Sequence, residues 1–557
     1  MRKSISTILT LALAATLLYG CGGNEGKGGS ESSPSPASPA PGAGQAGDPA
    51  ADGPLTPFEK TVTVNLVGQN NPTVIYVNGE SMDDNVLTRL YQERLNVVTP
   101  KKWKVDSTKY AEHIDLSIAS NDLPDTFDAS SAQLNRLITN GQVEDLTEAY
   151  EKYASDNLRN ALEYMDKIGF QTSTVDGKIY GLPLPNDFAD FIAMTYLRQD
   201  WLDKLGLQPP TTLEELENVA RAFKEQDPDG NGKPDTIGIA MDQTFGFPLD
   251  AVGASLGAYP KIWIDDPAEA GKLVYGSTQP AMKETLARMQ QYFKEGLLDK
   301  EFAVKNADKV AETIAAGKVG VFIGPFWAPL WQLQLNHKNE PEAVWNVYPI
   351  PAGPDGTVKP KASSFVYRWQ VVRKGFEHPE AIVKMANLWY ELWQGADAEW
   401  YHGLNKAEYK EVQEGLKFYA PFWFDVPDKN MNLGYVMREA LEKNDPSIIE
   451  SPEGQKMWDV IMEGSDYGWS QRLITTQSEY VLGEQYKGNY MFDKFNAAPS
   501  ANMLSKKPIL DKLESETFTK IIMGDSIDKF DSFVEEWKKA GGDEITKEVN
   551  DWYAANR

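Results

Sequence analysis

The stretch that decides the fold is residues 192–238, which read IAMTYLRQDWLDKLGLQPPTTLEELENVARAFKEQDPDGNGKPDTIG. Its apolar start, residues 192–197, predicts a buried strand. A short helix over residues 199–205 follows, and Gly206 is the residue type that commonly ends such a helix. A longer amphipathic helix and a loop rich in Asp and Gly complete the stretch, so strand and helix signals alternate.

The same alternation continues on both sides of this stretch. Thr211 or Thr212 forms a capping box with Glu214 or Glu215, which predicts the start of the longer helix. Alternating signals of this kind favour an α/β architecture. Further strands are predicted at 61–67, 103–105, 318–324 and 365–372, and further helices at 85–95, 133–153, 280–297, 307–317 and 378–394.

The charge balance excludes one class of function. The chain of 557 residues has 55 Lys and Arg against 81 Asp and Glu, which gives a formal charge of −26. A general nucleic-acid binder needs a basic face to neutralise phosphates, so we expect no nucleic-acid partner. The hydrophobic fraction of 41% is sufficient for large cores. The length allows three to four units of about 150 residues.

The N-terminus carries a targeting signal. Arg2 and Lys3 precede an apolar run that is too short to span a bilayer comfortably, which is typical of a signal peptide over residues 1–20. The run ends LYGC (18–21), which resembles a bacterial lipobox, and Cys21 is the only cysteine. The resemblance implies a lipidated thiol and a membrane anchor. The alternative is an ordinary secretory signal followed by a free cysteine.

The segment after the cysteine has the composition of a linker. Residues 22–57 are dominated by Gly, Ser, Pro and Ala, which cannot bury an apolar face. We therefore expect residues 21–57 to be a lipidated cysteine and a disordered tether. The folded body would then be held at the extracellular face of the cytoplasmic membrane.

The loop DPDGNGKPD (227–235) has the donor spacing of a calcium-binding EF-hand loop. Oxygen donors recur at its first, third, fifth and ninth positions, and Gly232 occupies the sixth, where the loop turns sharply. The twelfth position is Gly238 instead of Glu, so a carboxylate from elsewhere or water must complete the shell. We predict a structural Ca²⁺, with a solvated turn as the alternative. The predicted ligands are Asp227, Asp229, Asn231, Lys233 (through its backbone carbonyl) and Asp235.

A second motif is rejected on its context. GASLG (253–257) matches the G-x-S-x-G pattern of serine hydrolases. That nucleophile elbow requires a strand before the serine and a helix after it, and the flanking residues predict neither. The four His residues lie in no recognisable motif. We therefore expect no catalytic site of this kind.

Aromatic residues gather among Gly and Pro in several places. Aromatic faces stack well on the apolar faces of sugars and anchor ligands in clefts. Most Trp and Tyr side chains nevertheless pack in cores or cleft walls, so only a few are candidates for ligand contact. The clusters are GPFWAPLW (324–331), FVYRW (365–369), FYAPFWF (418–424) and YGW (467–469), and they supply Trp423 and Trp469 as candidates.

Several motifs occur together in an order that resembles one family. They are SNDLPD (120–125), YLRQDWLDKLG (196–206), PTTLEEL (210–216), DPDGNGKPDTIG (227–238) and AAGKVGVFIGPFW (315–327). Together with the lipobox and the tether, they resemble the extracellular solute-binding lipoproteins of Gram-positive ABC importers, in the maltose-binding-protein-like superfamily. The resemblance implies a monomer with an α/β, type II periplasmic-binding-protein-like fold. Each of its two lobes would be a mixed sheet flanked by helices, with a hinge between them and a ligand in the cleft.

The same resemblance implies positions for ligand contacts. In maltose-binding relatives a Gly-Pro-Trp after a strand supplies a Trp that stacks on sugar, and here Phe326 or Trp327 takes that place. Segments 192–197 and 365–372 would be the hinge crossings. The other implied residues are Asp128, Ser130 and Ser131 after LPD, Phe245 and Phe247 before GASLG, and Tyr367, Arg368 and Trp369 near the cleft floor.

The resemblance also implies a division of the chain and a function. Residues 58–191 would begin the first lobe, residues 192–366 would begin the second lobe, and residues 367–557 would return and be shared by both. The chain would capture an oligosaccharide in an aromatic-lined cleft by hinge closure and deliver it to the permease of an ABC importer.

Two alternatives from other classes stay open. The first is a secreted glycan-active enzyme, which would need two carboxylates about 5–10 Å apart across the scissile bond. The second is a peptide or surface receptor on a similar scaffold. The negative charge of the chain disfavours polyanionic glycans at long range, although Arg198 or Arg368 could reverse this locally.

Overall fold

The opening stretch of the sequence folds as its pattern predicts. Met194–Arg198 is a strand in which every residue is buried, and the helix Gln199–Leu205 follows and ends at a glycine with a φ of 67°. The helix Leu213–Glu225 begins at a capping box. In it the Thr212 hydroxyl accepts the backbone N–H of Glu215, and the Glu215 carboxylate accepts the backbone N–H of Thr212. The predicted start of this helix is confirmed.

The computed structural model describes residues 52–71, 74–185, 191–362, 366–406, 408, 409, 412, 416–425, 427–497 and 499–555, and for residues 165, 166, 367 and 404–406 it describes the backbone alone. The predicted signal peptide, Cys21 and the tether up to residue 51 lie outside these ranges. The last part of the predicted tether, residues 52–57, is not disordered: Leu55 packs on a core, and the Lys384 amine donates to Asp52 Oδ1 at 2.7 Å and to the Thr56 carbonyl at 2.8 Å. Within the described ranges, no helix combines the length and the apolar character needed to cross a bilayer.

The strands of the described chain, numbered in order, are β1 (Val62–Thr63), β2 (Leu66–Asn70), β3 (Val97–Val98), β4 (Lys101–Asp106), β5 (Thr126–Ser130), β6 (Thr174–Val175), β7 (Lys178–Ile179), β8 (Leu182–Pro185), β9 (Met194–Arg198), β10 (Ile237–Ile239), β11 (Trp263–Asp265), β12 (Leu273–Tyr275), β13 (Val319–Gly324), β14 (Trp345–Tyr348) and β15 (Val366–Val372).

The helices of the described chain are α1 (Val86–Leu95), α2 (Tyr110–Ser120), α3 (Ser131–Thr139), α4 (Thr147–Tyr153), α5 (Asp156–Leu162), α6 (Tyr164–Gln171), α7 (Gln199–Leu205), α8 (Leu213–Glu225), α9 (Gly246–Ser255), α10 (Pro280–Glu295), α11 (Ala307–Ala315), α12 (Gln332–Asn339), α13 (Glu380–Trp393), α14 (Ala398–Lys406), α15 (Lys429–Lys443), α16 (Pro452–Glu463), α17 (Asp466–Leu473), α18 (Ala501–Ile522), α19 (Lys529–Trp537) and α20 (Asp543–Ala555).

One large core forms what we call the second lobe. Its mixed sheet has the order β10-β13-β9-β14, in which β13 and β14 run antiparallel to β9 and β10 runs parallel to β13. Helix α8 packs on β10 and β13, and α9 packs on β13. The core combines residues between Ile192 and Ala362 with residues between Leu473 and Val549. The C-terminal helices therefore belong to this lobe.

The first lobe is built around a second sheet. Its order is β5-β15-β8, with both neighbours antiparallel to β15, and β2 pairs in parallel with β4. One core joins residues between Val62 and Leu182 to residues between Val372 and Phe424, and a smaller core lies under β5 and β15. A separate helical core contains residues between Leu433 and Ile461. The predicted two-lobed α/β fold is confirmed, and the separate helical core was not predicted.

Two details of the prediction need correction. The segments expected to cross the hinge are central strands, because β9 pairs with β13 and β14 and because β15 pairs with β5 and β8. The chain therefore passes between the lobes outside these two strands. The helix expected over 133–153 is two helices, α3 and α4. Helix α3 ends at Asn140 because Gly141 adopts a φ of 65°, and Val143 then forms a β-bridge with Arg373.

Candidate functional site

A cavity of about 440 Å³ lies in the first lobe, and we call it cavity A. Ligand sites commonly have volumes of about 300–1,000 Å³. Its described lining residues all belong to the first lobe. They come from β2, β4, β5, β8 and β15, from the stretches that follow β2 and β4, and from the segment 416–423.

Strand pairing explains which side chains of β15 reach cavity A. Successive side chains of a strand point to opposite faces. Arg368 and Gln370 therefore share one face and line the cavity, whereas Trp369 and Val371 share the other face and are buried in the core beneath. The antiparallel register places Gln370 opposite Asp128 of β5. Asp128 thus enters the same cavity.

The polar floor of cavity A is held by side-chain bonds. Arg368 Nη1 lies 2.5 Å from Asp128 Oδ2, with the Arg368 side chain 46% exposed and the Asp128 side chain 16% exposed. The Gln370 amide donates to the Thr126 hydroxyl at 2.7 Å, and that hydroxyl donates to the Val371 carbonyl at 2.7 Å. These bonds orient a cation, a carboxylate and an amide toward one space. Such planar polar groups are suited to binding the hydroxyls of a ligand.

Aromatic side chains form one wall of cavity A. Tyr76 stacks on Tyr419 with ring centroids 4.8 Å apart, and burial raises the pKa of both hydroxyls. The Tyr419 hydroxyl donates to the Ile75 carbonyl at 2.7 Å, which fixes the loop that carries Tyr76. Beside them, Trp423 meets Phe418 edge to face at 6.2 Å. The wall therefore presents rings in fixed positions.

A second cavity of about 490 Å³, cavity B, lies where the two lobes and the helical core between Leu433 and Ile461 meet. The second lobe contributes Phe326 and Trp327, from the loop after β13. The segment 416–425 borders both cavities, because Phe418 and Trp423 line cavity A while Lys417 and Asp425 line cavity B. The predicted candidates Phe326, Trp327 and Trp423 are therefore divided between two neighbouring cavities.

Two predicted ligand residues lie in the packed interior. Phe245 is 2% exposed and packs against Phe302 in the second lobe. Trp369 is 3% exposed, and its indole N–H donates to the Gly169 carbonyl at 2.8 Å. Neither is among the described residues that line cavity A or cavity B. The expectation for both is corrected, because strand alternation and core packing direct them away from the cavities.

Four other candidates have local structural contacts outside the cavity linings. Ser130 caps α3 by accepting the backbone N–H of Gln133, and Ser131 is the first residue of that helix. Phe247 is half-buried against the core of the second lobe. Trp469 stacks on His337 with ring centroids 4.3 Å apart and planes 4° apart. The side chain of Tyr367 lies outside the described residues.

Two further sequence features have structural explanations. Ser255 of the GASLG motif is buried at the end of α9, and its hydroxyl lies 2.6 Å from the Pro351 carbonyl. It is therefore not placed as a nucleophile, as the sequence context predicts. Arg198 is buried and pairs with Asp200 at 2.6 Å and with Glu340 at 2.9 Å. It cannot supply positive charge to either cavity.

Several lining residues of cavity A were not predicted. Gln69 is in β2 and Asn71 follows it, Lys101 begins β4, and Gln370 lies in β15. In α/β folds, ligand sites gather at the carboxyl ends of strands. That rule, applied to the strand predicted at 61–67, would have found Gln69 and Asn71. No local signal marks Lys101.

The loop 227–235 brings carboxylates together around one amide. Asn231 Nδ2 donates to Asp229 Oδ2 at 2.5 Å and to Asp235 Oδ1 at 3.0 Å, and the backbone N–H of Gly232 donates to Asp227 Oδ2 at 3.0 Å. Burial, with the neighbouring carboxylates of Asp227 and Asp235, raises the pKa of Asp229. Over the described ranges, no cluster of three or more His, Cys, Asp or Glu side chains is arranged to hold a metal ion.

Two α/β lobes with a ligand-sized cavity define a two-lobed binding protein as the class. The chain belongs to the bacterial extracellular solute-binding protein family, whose sequence profile matches residues 98–398.

Two named relatives are similar in sequence to most or to part of this chain. Lipoprotein LipO of Bacillus subtilis (strain 168) is 26% identical over 477 residues, which cover 82% of this chain and 86% of LipO. The polygalacturonan/rhamnogalacturonan-binding protein YtcQ of the same organism is 29% identical over 231 residues, 40% of this chain and 43% of YtcQ.

The fold is also shared with solved structures. The ABC-transporter substrate-binding protein FusA of Streptococcus pneumoniae, in complex with kestose, aligns with a TM-score of 0.60 and 18% identity over 89% of this chain and 100% of FusA. A second FusA structure, described as an EF-hand mutant, aligns with a TM-score of 0.60 and 19% identity over the same shares. At this identity the likeness shows the fold alone.

Proposed function

We propose that this solute-binding protein captures an oligosaccharide in cavity A, as a monomer, and delivers it to the permease of an ABC importer. The observation that carries the proposal is the composition of the cavity. Fixed aromatic rings, among them Tyr76 and Trp423, stand beside planar hydrogen-bonding groups, among them Asp128, Arg368 and Gln370. Aromatic faces stack on sugar rings, and the polar groups match sugar hydroxyls.

The named relatives support a carbohydrate as the ligand. YtcQ is named as a polygalacturonan/rhamnogalacturonan-binding protein, and FusA as a fructooligosaccharide ABC transporter substrate-binding protein. These ligands differ in charge and in sugar type, so they support the class of ligand and leave its identity to be measured.

Closure of the two lobes would complete the site. The described lining of cavity A comes from the first lobe alone, while Trp327 of the second lobe faces the neighbouring cavity B. A ligand in cavity A would stabilise the closed conformation, in which the second lobe adds contacts to it, and this difference in affinity would drive the hinge motion. We propose that Trp327 meets the ligand on closure, next to the segment 416–425.

The number of carboxylates in cavity A supports a binding function over glycan hydrolysis. A glycosidase places two carboxylates across the scissile bond. Among the described residues that line cavity A, Asp128 is the one carboxylate, and it is ion-paired with Arg368. Prolonged incubation of the purified protein with glycans tests for hydrolysis directly. A released sugar would contradict a function of binding alone.

The test of the proposed function is a ligand panel. Isothermal titration calorimetry and thermal-shift measurements on the purified chain would compare neutral and acidic oligosaccharides with peptides of similar size. We expect saturable binding of at least one oligosaccharide and an increase in Tm with ligand concentration. Binding of peptides with no glycan bound would contradict the proposal.

We also propose that the loop 227–238 binds a structural Ca²⁺. The side chains that would hold it are Asp227, Asp229, Asn231 and Asp235, with the backbone carbonyl of Lys233. Their fit rests on the convergence of Asp229 and Asp235 on one amide and on the raised pKa of Asp229, which reflects its burial and the neighbouring carboxylates. A divalent cation would relieve that repulsion. The EF-hand of FusA supports the proposal.

Removal of the metal tests this proposal. We expect a chelator to lower the Tm and Ca²⁺ to restore it, because an ion that binds only the folded state stabilises that state. Asp229→Asn should remove most of the response, whereas Asp355→Asn, in an unrelated exposed turn, should leave it intact. Absence of a Ca²⁺ response, together with no metal in elemental analysis, would contradict the proposal.

Attachment to the membrane is proposed from the lipobox. Cys21 would carry the lipid, residues 22–51 would be the tether, and the body would lie at the extracellular face of a Gram-positive cytoplasmic membrane. Metabolic labelling with a fatty acid should mark the chain, and Cys21→Ser should abolish the label. Labelling that persists in this variant would contradict the assignment.

A further inference from the structure

A lysine in cavity A has no acidic partner in the part of the chain that the structure describes. Lys101 is the first residue of β4, lines the cavity and is half-buried. Its amine donates to the Thr99 carbonyl at 3.0 Å and forms no ion pair with any described residue. The next residue, Lys102, does not line cavity A and pairs with Asp122 at 2.5 Å.

Two other half-buried lysines of the described chain do have acidic partners. Lys305 pairs with Asp299, and Lys361 pairs with Asp250 at 2.6 Å. The chain has 81 acidic residues, so acidic partners are abundant. Burying an ammonium without a partner has a free-energy cost, and such groups usually serve a ligand or a reaction.

The described charged groups near Lys101 are already paired with one another. Asp83 is the nearby carboxylate, and it is already in an ion pair with Lys104. Elsewhere in the cavity, Asp128 and Arg368 neutralise each other.

Burial is the largest effect on the amine of Lys101, and it lowers the pKa to about 8. The positive charge of Lys104 lowers this pKa further, and the negative charge of Asp83 raises it. The titratable hydroxyls of Tyr76 and Tyr419 in the aromatic wall are neutral in the physiological range, because burial raises their pKa values.

We propose that the ligand of cavity A carries a carboxylate, as the uronic acid units of acidic oligosaccharides do, and that Lys101 is its counter-ion. The inference rests on the proposed function, since it specifies which oligosaccharides the same cavity selects. A ligand carboxylate would supply the acidic partner that Lys101 lacks, through a charge-assisted hydrogen bond. The formal charge of −26 repels polyanions at long range, so selection must come from this local contact.

Calorimetry with matched ligands tests the inference. The ligands are tri-galacturonate, its fully methyl-esterified form and a neutral trisaccharide, so that the first two differ only in charge. We expect the purified chain to bind the acid about 10- to 100-fold more tightly than the ester, the range of a hydrogen bond to a charged group. Lys101→Gln should bring the two affinities within about threefold, and Lys101→Arg should keep the preference.

A matched control and a pH series separate the contact from general electrostatics. Lys102→Gln removes the same charge from the same strand outside the cavity, so the acid-to-ester ratio should not change. With the native chain, affinity for the acid should fall about tenfold as pH rises from about 7 to 9.5, because the amine loses its proton while the uronate stays ionised. The Lys101→Gln variant should show no such dependence.

The outcomes distinguish this inference from the proposed function. Equal affinity for acid and ester, or binding of the neutral sugar alone, would overturn the carboxylate inference and leave oligosaccharide capture intact. A preference for the acid that survives Lys101→Gln would overturn the role of Lys101. If no glycan binds and peptides do, the proposed function itself fails. Thermal melting of each variant verifies that it is folded.

Discussion

Replacement of Trp423 by Ala is the most informative single change in cavity A. An indole can bury about 200 Å², and a sugar ring that covers one face shields at most about half of this area. At about 25 cal/mol per Å², that contact is worth up to about 2.5 kcal/mol. Phe418 and Lys417 already cover part of the ring, at 6.2 and 5.3 Å. We therefore expect a loss of about 1–2 kcal/mol, or about 5- to 30-fold in affinity.

The assay is isothermal titration calorimetry with the tightest oligosaccharide of the panel. Trp423→Phe keeps a stacking face and should retain affinity within about threefold. Trp469→Ala is the control, since Trp469 stacks on His337 and is not among the described lining residues of either cavity. An unchanged affinity in Trp423→Ala, with a large loss in Trp469→Ala, would refute the placement of the sugar in cavity A.

Two stability predictions follow from buried groups. Trp369→Ala should lower the free energy of unfolding by about 3–5 kcal/mol and Trp369→Phe by about 1–3 kcal/mol, because the indole fills a core and satisfies the Gly169 carbonyl. An unchanged Tm with a loss of glycan affinity would instead make Trp369 a ligand contact. Burial raises the pKa of Asp493 to about 6, so the folded state binds the extra proton and stability falls as pH rises from about 4 to 6. Asp493→Asn keeps the oxygen that accepts the backbone N–H groups of Trp263 and Phe495. The variant should raise the Tm at about pH 7.5 but not at about pH 4.5. An equal change in Tm at the two pH values would contradict the titration of Asp493 as the cause.

The elements that local sequence determines were predicted well. The capping box and apolar face of α8 lie within one short segment, and the strand and helix at 192–206 are set by composition and by one glycine. The separate helical core, between Leu433 and Ile461, was missed because its packing joins α15 and α16 without a distinctive motif. The break between α3 and α4 depended on the φ of Gly141, which the apolar pattern did not reveal.

The composition of cavity A could be predicted only in part. Asp128 and Arg368 were candidates by resemblance, but their pairing joins β5 to β15 across 240 residues of sequence. Strand alternation decides that Arg368 lines the cavity and Trp369 does not, and the register needed for that argument comes from the structure. No sequence motif marks Lys101, and its lack of an acidic partner among the described residues is visible only in three dimensions.

A crystal structure of the purified chain with the tightest glycan of the panel tests the proposed binding site most directly. We predict a sugar ring stacked on Trp423, with hydroxyls hydrogen-bonded to Asp128 or Arg368 and a carboxylate within reach of the Lys101 amine. Trp327 of the second lobe should have closed onto the ligand. A sugar held elsewhere, with cavity A containing water alone, would contradict the central claim that cavity A is the binding site.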